Sequence, residues 1–279
     1  MQSEGMQELT TGFESRARAK ALSVDISDVA NVALFLTTFL GAWQLVYTLG
    51  VWPSEILPSP ATVAAKASEL VSTNSLTLGI GTSLVRLAAG FGISIAVGGI
   101  VGLAMVKFQG FGKTMSSFAV GLLTFPSIAW VPFSILLIGF SDFGILFVVV
   151  MASVFSVMIT TYGSLRNIPP IYIRAAKNMG ANGFTLFRNV MIPAATPSLV
   201  IGMRQAWSFA WHALIGAEML ITTLAGLGYL LSVGREFNLM PNIIAVMISI
   251  FAIGIIFDRV IFLKIEDRVR AKWGLSQHK

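Results

Sequence analysis

No cysteine occurs in the 279 residues, and histidine occurs only twice, at His212 and His278. The first absence excludes disulfides, iron–sulfur clusters and thiolate metal sites. The second leaves too few imidazoles for a multi-histidine metal centre. Charge is scarce as well. Asp, Glu, Lys and Arg make up 11% of the chain, against about 25% in a soluble domain. Hydrophobic residues reach 55%, more than a water-soluble chain of this size can bury, so the composition is that of an integral membrane protein. A net charge of +6 would suggest nucleic acid as a partner of a soluble protein. In a membrane protein it reads as topology, with no nucleic acid expected, because cytoplasmic loops collect Lys and Arg.

The long apolar runs are the main thing present. A helix needs about 20 apolar residues to cross the hydrocarbon core. Six stretches qualify, at about 29–51, 82–106, 115–140, 143–162, 195–221 and 243–263. They are continuously apolar, without the alternation of barrel strands, so the expected fold is an all-α membrane domain of about six transmembrane helices. Internal Gly and Pro residues fit helices whose neighbours pack closely and satisfy freed backbone groups. Residues 1–28 are too acidic and polar for a cleavable signal peptide and are expected to form a cytoplasmic tail or a surface helix. Residues 29–263 form the membrane domain, and 264–279 a second cytoplasmic tail. Even-numbered crossings place both ends on one side. Lys and Arg number three in the N-terminal tail, two in the 107–113 loop, four in the 163–194 loop and six from Arg259 onward, fifteen against only Lys66 and Arg235 on the other side. That asymmetry predicts cytoplasmic termini and a cytoplasmic 163–194 loop, leaving 52–75 outside.

The 163–194 loop carries Arg166, Arg174, Lys177 and Arg188 and no acidic residue. Pro170 suits a helix first turn, Ile171, Ala175 and Met179 form an apolar stripe, and Gly180 is a natural stop. Asn182 is placed to cap a second short helix, and Pro193 to open the next membrane helix. The expectation is two short helices about a glycine hinge at the cytoplasmic membrane surface. They lie there either without a partner or docked against another protein. By contrast, "GFGKT" (110–114) lacks the earlier glycine and preceding strand of a phosphate-binding loop and is expected to be a cytoplasmic turn, with no nucleotide bound by this chain.

Residues 174–193 resemble the EAA loop of ABC importer permeases, written E-A-A, three residues, Gly, nine residues, I-x-L-P. Ala175 and Ala176 match the alanines, Gly180 the glycine, Val190 and Ile192 the apolar positions and Pro193 the proline. Arg174 stands where that motif has Glu. "LPSPATV", "SLVRLAAGFGISIAVGGIVGLAM", "FPSIAWVPFSILLIGF", "IGAEML", "GLGYLL" and "IIFDRVIFLKIEDRVRAKW" resemble the permeases for nitrate, bicarbonate, taurine and alkanesulfonates over about residues 55–273. The resemblance implies a type I ABC importer permease fold in a prokaryotic cytoplasmic membrane and a non-enzymatic transport role. It also implies a second permease copy, two ATPase subunits that bind ATP and Mg, and an extracytoplasmic substrate-binding protein. The ATPase-coupling residues would be Ile171, Arg174, Ala175, Ala176, Lys177, Met179, Gly180 and Pro193. A stand-alone secondary transporter or channel is the alternative, though no internal repeat of the kind such proteins often show is visible. An intramembrane enzyme lacks any metal or nucleophile constellation.

Ionisable groups within apolar runs are candidates for a translocation path, since mid-bilayer charge is costly and faces protein or water. Arg86, Arg204, His212 and Glu218 qualify. By depth, Arg86 is placed to pair with Glu218 or to meet an anion. Arg204 is expected to snorkel to the cytoplasmic surface. His212 reads as a core histidine or a path-lining one. Asp142 is expected in a solvated turn at an outer helix end.

Overall fold

The computed structural model describes residues 26–221 and 225–272. Among these there is no strand. The N-terminal tail expected over 1–28 and the chain end from 273 fall almost wholly outside the described residues. The chain falls into two compact units that divide at Thr62–Val63.

In the first unit, helix α1 (Ile26–Thr48) is a single apolar rod. Its Ala30–Thr48 window has no buried residue, and Phe35, Leu34 and Phe39 project outward. Beyond it the Trp43 indole donates to the Pro58 carbonyl at 3.0 Å, holding the Pro-rich segment near the helix. The Ser59 hydroxyl accepts from the Thr62 amide at 3.1 Å, capping the start of α2 (Pro60–Ser72).

The second unit is a helical bundle. Helix α3 spans Ser75–Lys107, 33 residues. It starts seven residues before the expected span because Ser75–Gly81 continues the helix outside the apolar window. After Phe108 the chain turns at once into α4 (Gln109–Leu123). The "GFGKT" stretch is therefore helical rather than a turn. Gly112 permits the sharp junction, since a Cβ there would lie 2.3 Å from the Met105 carbonyl oxygen. The expected single crossing at 115–140 is broken. Helix α4 and the segment Ser127–Ile138, a 3₁₀ turn leading into α5 (Trp130–Ile138), meet at 91°. Pro126 lacks an N–H and pushes Phe125 away from helical geometry, which ends α4 here. A cavity of about 220 Å³ lined by Phe125, Trp130, Met151 and Phe209 lies at the bend.

Helix α6 (Asp142–Arg166) is the axis of the bundle: 56% of its apolar window is buried, more than in any other described span. It packs along α3 through residues four apart. A Cβ at Gly90 would lie 2.6 Å from Val149, one at Gly98 2.7 Å from the Val154 carbonyl oxygen, and one at Gly102 2.8 Å from that of Met158. Between them Ser94 accepts from the Ser153 hydroxyl at 2.8 Å. Small residues let the two backbones approach, and in lipid that packing replaces hydrophobic burial as the main source of association.

Two short helices follow, α7 (Pro170–Asn178) and α8 (Gly183–Leu186), then a π-helical stretch (Phe187–Met191) leading without a break into α9 (Ile192–Leu220). Helix α10 (Leu227–Glu236) precedes α11 (Met240–Ile256), a second π-helical stretch (Phe257–Leu263) and α12 (Lys264–Lys272). The C-terminal segment assigned to a tail is thus helical as far as Lys272. Among the described residues five helices are long and apolar enough to cross a membrane, six if the bent pair counts as one span. Large apolar side chains point outward around the bundle, Leu136, Phe143, Phe251 and Val85 among them. A soluble monomer does not expose apolar surface on that scale.

Candidate functional site

The basic loop folds as a defined object. Pro170 sits at the first turn of α7, where its missing N–H costs nothing. At the other end Gly180 takes φ +84°. Its amide donates to the Lys177 carbonyl at 3.0 Å and the Ala181 amide donates to that of Ala176 at 2.9 Å. This pair of reversed bonds is the Schellman stop, and it requires a left-handed residue. The Asn182 side chain does not cap α8. It turns back and donates to the Gly180 carbonyl at 3.3 Å, tightening the hinge.

The loop has two faces. Inward, Ala176 is buried, and Ile173, Phe187 and Met191 pack on the cluster Leu165, Ile168 and Ala195. Pro193 is half-buried at the start of α9. Outward, Ile171, Arg174, Ala175, Lys177, Met179 and Gly180 are exposed, and Met179 at 82% and Phe184 at 71% are among the most exposed apolar side chains described. Ala176 and Pro193 therefore anchor the loop to its own bundle, while the other six candidate residues face away from it. Phe184 was not singled out in the sequence, where an isolated aromatic beside Gly183 gives no periodic signal.

Toward the opposite end of α9 lies a buried charged cluster. Glu218 is fully buried. Its carboxylate accepts from Arg86 Nη1 at 2.8 Å, from the Ser83 hydroxyl at 2.8 and 2.9 Å, and from the Gly228 amide at 3.0 Å. Ser83 in turn accepts from the Leu227 amide at 2.9 Å, and Arg86 Nη1 also donates to the Ala225 carbonyl at 2.7 Å. The chain can pass so near only because Gly226 has φ +145° and no side chain: a Cβ there would lie 2.7 Å from the Glu218 carboxyl carbon. The Arg86–Glu218 pair expected from depth is thus formed. Asp142, expected in a solvated turn at a helix end, is exposed at the start of α6 and is also the third member. Its carboxylate is 65% exposed yet lies 2.5 Å from Arg86 Nη2. One guanidinium therefore faces two carboxylates and joins α3, the start of α6, the end of α9 and the segment before α10.

Arg204, expected to snorkel, has acidic partners. It makes a two-pronged contact with Asp258 at 2.5 and 2.6 Å and reaches Glu266 at 3.6 Å. Asp258 lies in the second π-helical stretch, which also stacks Phe257 on Trp207, ring centroids 5.3 Å apart. Beside this pair is a cleft of about 680 Å³ whose lining includes Gln205, Ser208, Trp211, His212, Phe251 and Asp258. His212 is exposed there, so it is not a core histidine. Arg204 and His212 share this cleft, whereas Arg86 and Glu218 form the separate buried cluster. Among the described residues no group of His, Asp or Glu is arranged to hold a metal.

Residues 88–270 match the family model described as binding-protein-dependent transport system inner membrane component. The chain belongs to this family. The permease is 30% identical to the putative aliphatic sulfonates transport permease SsuC of Escherichia coli, over 86% of this chain and 90% of that one. It is 25% identical to the nitrate import permease NrtB of Synechocystis, over 92% and 95%. Among solved structures, the inward-facing MetNI methionine ABC transporter has a chain that superposes with TM-score 0.55 at 18% identity, covering 72% of the permease and 97% of that chain. At that identity the likeness is one of fold: the permease has the fold of a type I ABC importer permease. It is a transport subunit of an ABC importer in the cytoplasmic membrane, a family that works with ATPase subunits and a substrate-binding protein.

Proposed function

We propose that the permease forms, as one of two copies, the path for a small anion such as nitrate, bicarbonate or a sulfonate, and that its 163–194 loop couples the path to ATP hydrolysis. Solute is delivered by an extracytoplasmic binding protein, and two ATPase subunits carrying ATP and Mg work from the cytoplasmic side. The anion class is supported by the sulfonate and nitrate relatives. The coupling role is carried by one observation, the outward face of α7 and α8: apolar and basic side chains stand bare on a helix that is stopped and anchored. Helices that engage a partner groove present anchors in this manner. The cleft with Arg204 and His212 is the better candidate for the path. Both arginines already hold carboxylates, but Arg86 and Glu218 are buried, whereas the cleft is open and brings the exposed His212 together with Gln205 and Ser208.

The orientation has a direct test, aided by the absence of native cysteine. Ser72→Cys is expected to react with a membrane-impermeant thiol reagent in intact cells. Asn178→Cys is expected to react only after permeabilisation. The opposite pattern removes the loop from the ATPase side.

Coupling is tested at the stop. Nothing lies within 4 Å of a Cβ built on Gly180, so any penalty of substitution is conformational rather than steric. Left-handed backbone costs an L-residue roughly 1–2 kcal/mol, more when β-branched. Gly180→Val is expected to insert and assemble as a permease but to lose ATPase-coupled transport, whereas Gly180→Asn, which tolerates this conformation, retains most of it. Normal coupled transport by Gly180→Val would show that the stop has no part in coupling.

A further inference from the structure

We infer that the ATPase groove receiving this loop is lined with carboxylates around an apolar pocket, so that recognition is basic on the permease and acidic on its partner. The inference rests on the coupling role proposed above and specifies the partner's chemistry. Residues 163–194 contain four basic groups and no acid. Arg166 is tied back, its guanidinium bonded to the Tyr162 hydroxyl and lying over that ring. Arg174, Lys177 and Arg188 are exposed, and among the described residues no carboxylate lies within ion-pair distance of any of them. The remaining described cations of the bundle's buried and half-buried interior, Arg86 and Arg204, each hold two carboxylates. Among the described residues the loop's three have none.

These charges share a surface with four exposed apolar side chains, Ile171, Tyr172, Met179 and Phe184. Apolar anchors flanked by charge of one sign call for a partner with pockets and charge of the other. An anionic lipid surface would satisfy the charges. However, a helix lying in the lipid interface sinks its apolar side into the membrane, and here the inward side, through Ile173 and Ala176, is already engaged by the permease's own core. The exposed Met179 and Phe184 take no part in that anchorage. The Schellman stop fixes where Arg174 and Lys177 stand relative to Met179, so the charges are presented in register with the anchors. Arg174 makes the inference specific: it occupies the position where the EAA motif has Glu, so a groove suited to that glutamate would repel this loop.

The test measures association between the permease, held in phosphatidylcholine nanodiscs, and the purified ATPase subunit of the same importer, at low and high NaCl. Screening shortens electrostatic reach from about 10 Å at 0.1 M salt to about 3 Å at 1 M. Wild-type affinity is expected to fall about tenfold or more across that range. Arg174→Glu, and separately the triple change of Arg174, Lys177 and Arg188 to Gln, are each expected to weaken low-salt binding about tenfold, and the triple variant to lose most of the salt dependence. Both variants leave the other basic groups that set topology in place. Unchanged or tighter low-salt binding by both overturns the inference. So does a loss seen only when phosphatidylglycerol replaces part of the disc lipid, which assigns the charges to lipid headgroups. Met179→Asp and Phe184→Asp separate this from the coupling role itself. If they abolish binding while the charge variants do not, docking stands and only the acidic groove fails. If all four variants bind as wild type, the docking role fails with it.

Discussion

Arg86→Gln is expected to destabilise the permease by about 3–5 kcal/mol, because it strands a buried carboxylate. Glu218 has no exposure, and once the guanidinium is gone the Ser83 hydroxyl and the Gly228 amide are its remaining donors among the described residues. Glu218→Gln is expected to be comparably harmful from the other side, because it takes from the buried Arg86 its buried carboxylate and leaves the exposed Asp142. The double variant removes both charges and is expected to recover much of the loss, since neither ion is then left alone. Asp142→Asn is expected to cost about 1 kcal/mol or less, because its carboxylate is 65% exposed and Arg86 keeps Glu218. Unfolding midpoints in detergent and solute uptake by proteoliposomes check all four. If the group serves chiefly to clasp the helices, the double variant transports. If Arg86 meets the solute, the double variant assembles yet stays inactive. Single variants as stable and active as wild type would refute both versions.

A second large effect is expected at Gly98. A Cβ there would sit 2.7 Å from the Val154 carbonyl oxygen and 2.9 Å from the Val157 Cβ. The first is backbone, so no rotamer change relieves it, and α3 and α6 must move apart along the contact that Gly90, Ser94 and Gly102 share. Overpacking of this kind costs typically 1–3 kcal/mol, and Gly98→Leu is expected to exceed that range and sharply reduce folded yield. The neighbour is the control. A Cβ on Gly99 meets nothing within 4 Å, so Gly99→Ala is expected to be neutral or slightly stabilising, as alanine is better than glycine within a helix. Equal behaviour of the two substitutions, read by size-exclusion yield and thermal unfolding, would rule out the close approach of α3 and α6.

The contrast between these glycines shows what can be read from a sequence. The all-helical membrane fold and most of the spans follow from apolar run length, and the two-helix form of the basic loop follows from Pro170 and Gly180. The Arg86–Glu218 pair was legible as well, because opposite charges at equal depth in a bilayer have few other places to go. What sequence reasoning missed depends on three-dimensional register. Pro126 is compatible with a kinked, tolerated or broken span, and only the packing of Ser127–Ile138 selects the 91° bend. Asp142 lay at a helix end where solvent is the ordinary surrounding, and its reach to Arg86 spans 56 positions of sequence. Asp258 came to Arg204 through a π-helical stretch, which shifts the facing of side chains from that expected of a regular helix. Gly98 and Gly99 are indistinguishable as letters, and one faces α6 while the other faces away.

The continuity of α9 with the basic loop has a mechanical meaning. From Ile192 to Leu220 this helix has 29 residues, a length of about 44 Å at 1.5 Å per residue, longer than the about 30 Å hydrocarbon core. At its base lie the π-helical stretch, Pro193 and Pro197, the places where a helix bends most readily. Close to its far end lies Glu218. Were the helix to tilt as a rigid rod about that base, a swing of about 5° would carry its far end through about 4 Å. An N–H···O bond keeps its strength over only about 0.5 Å, so the 2.8 Å contact of Glu218 with Arg86 would register such a tilt unless α3 moved with it.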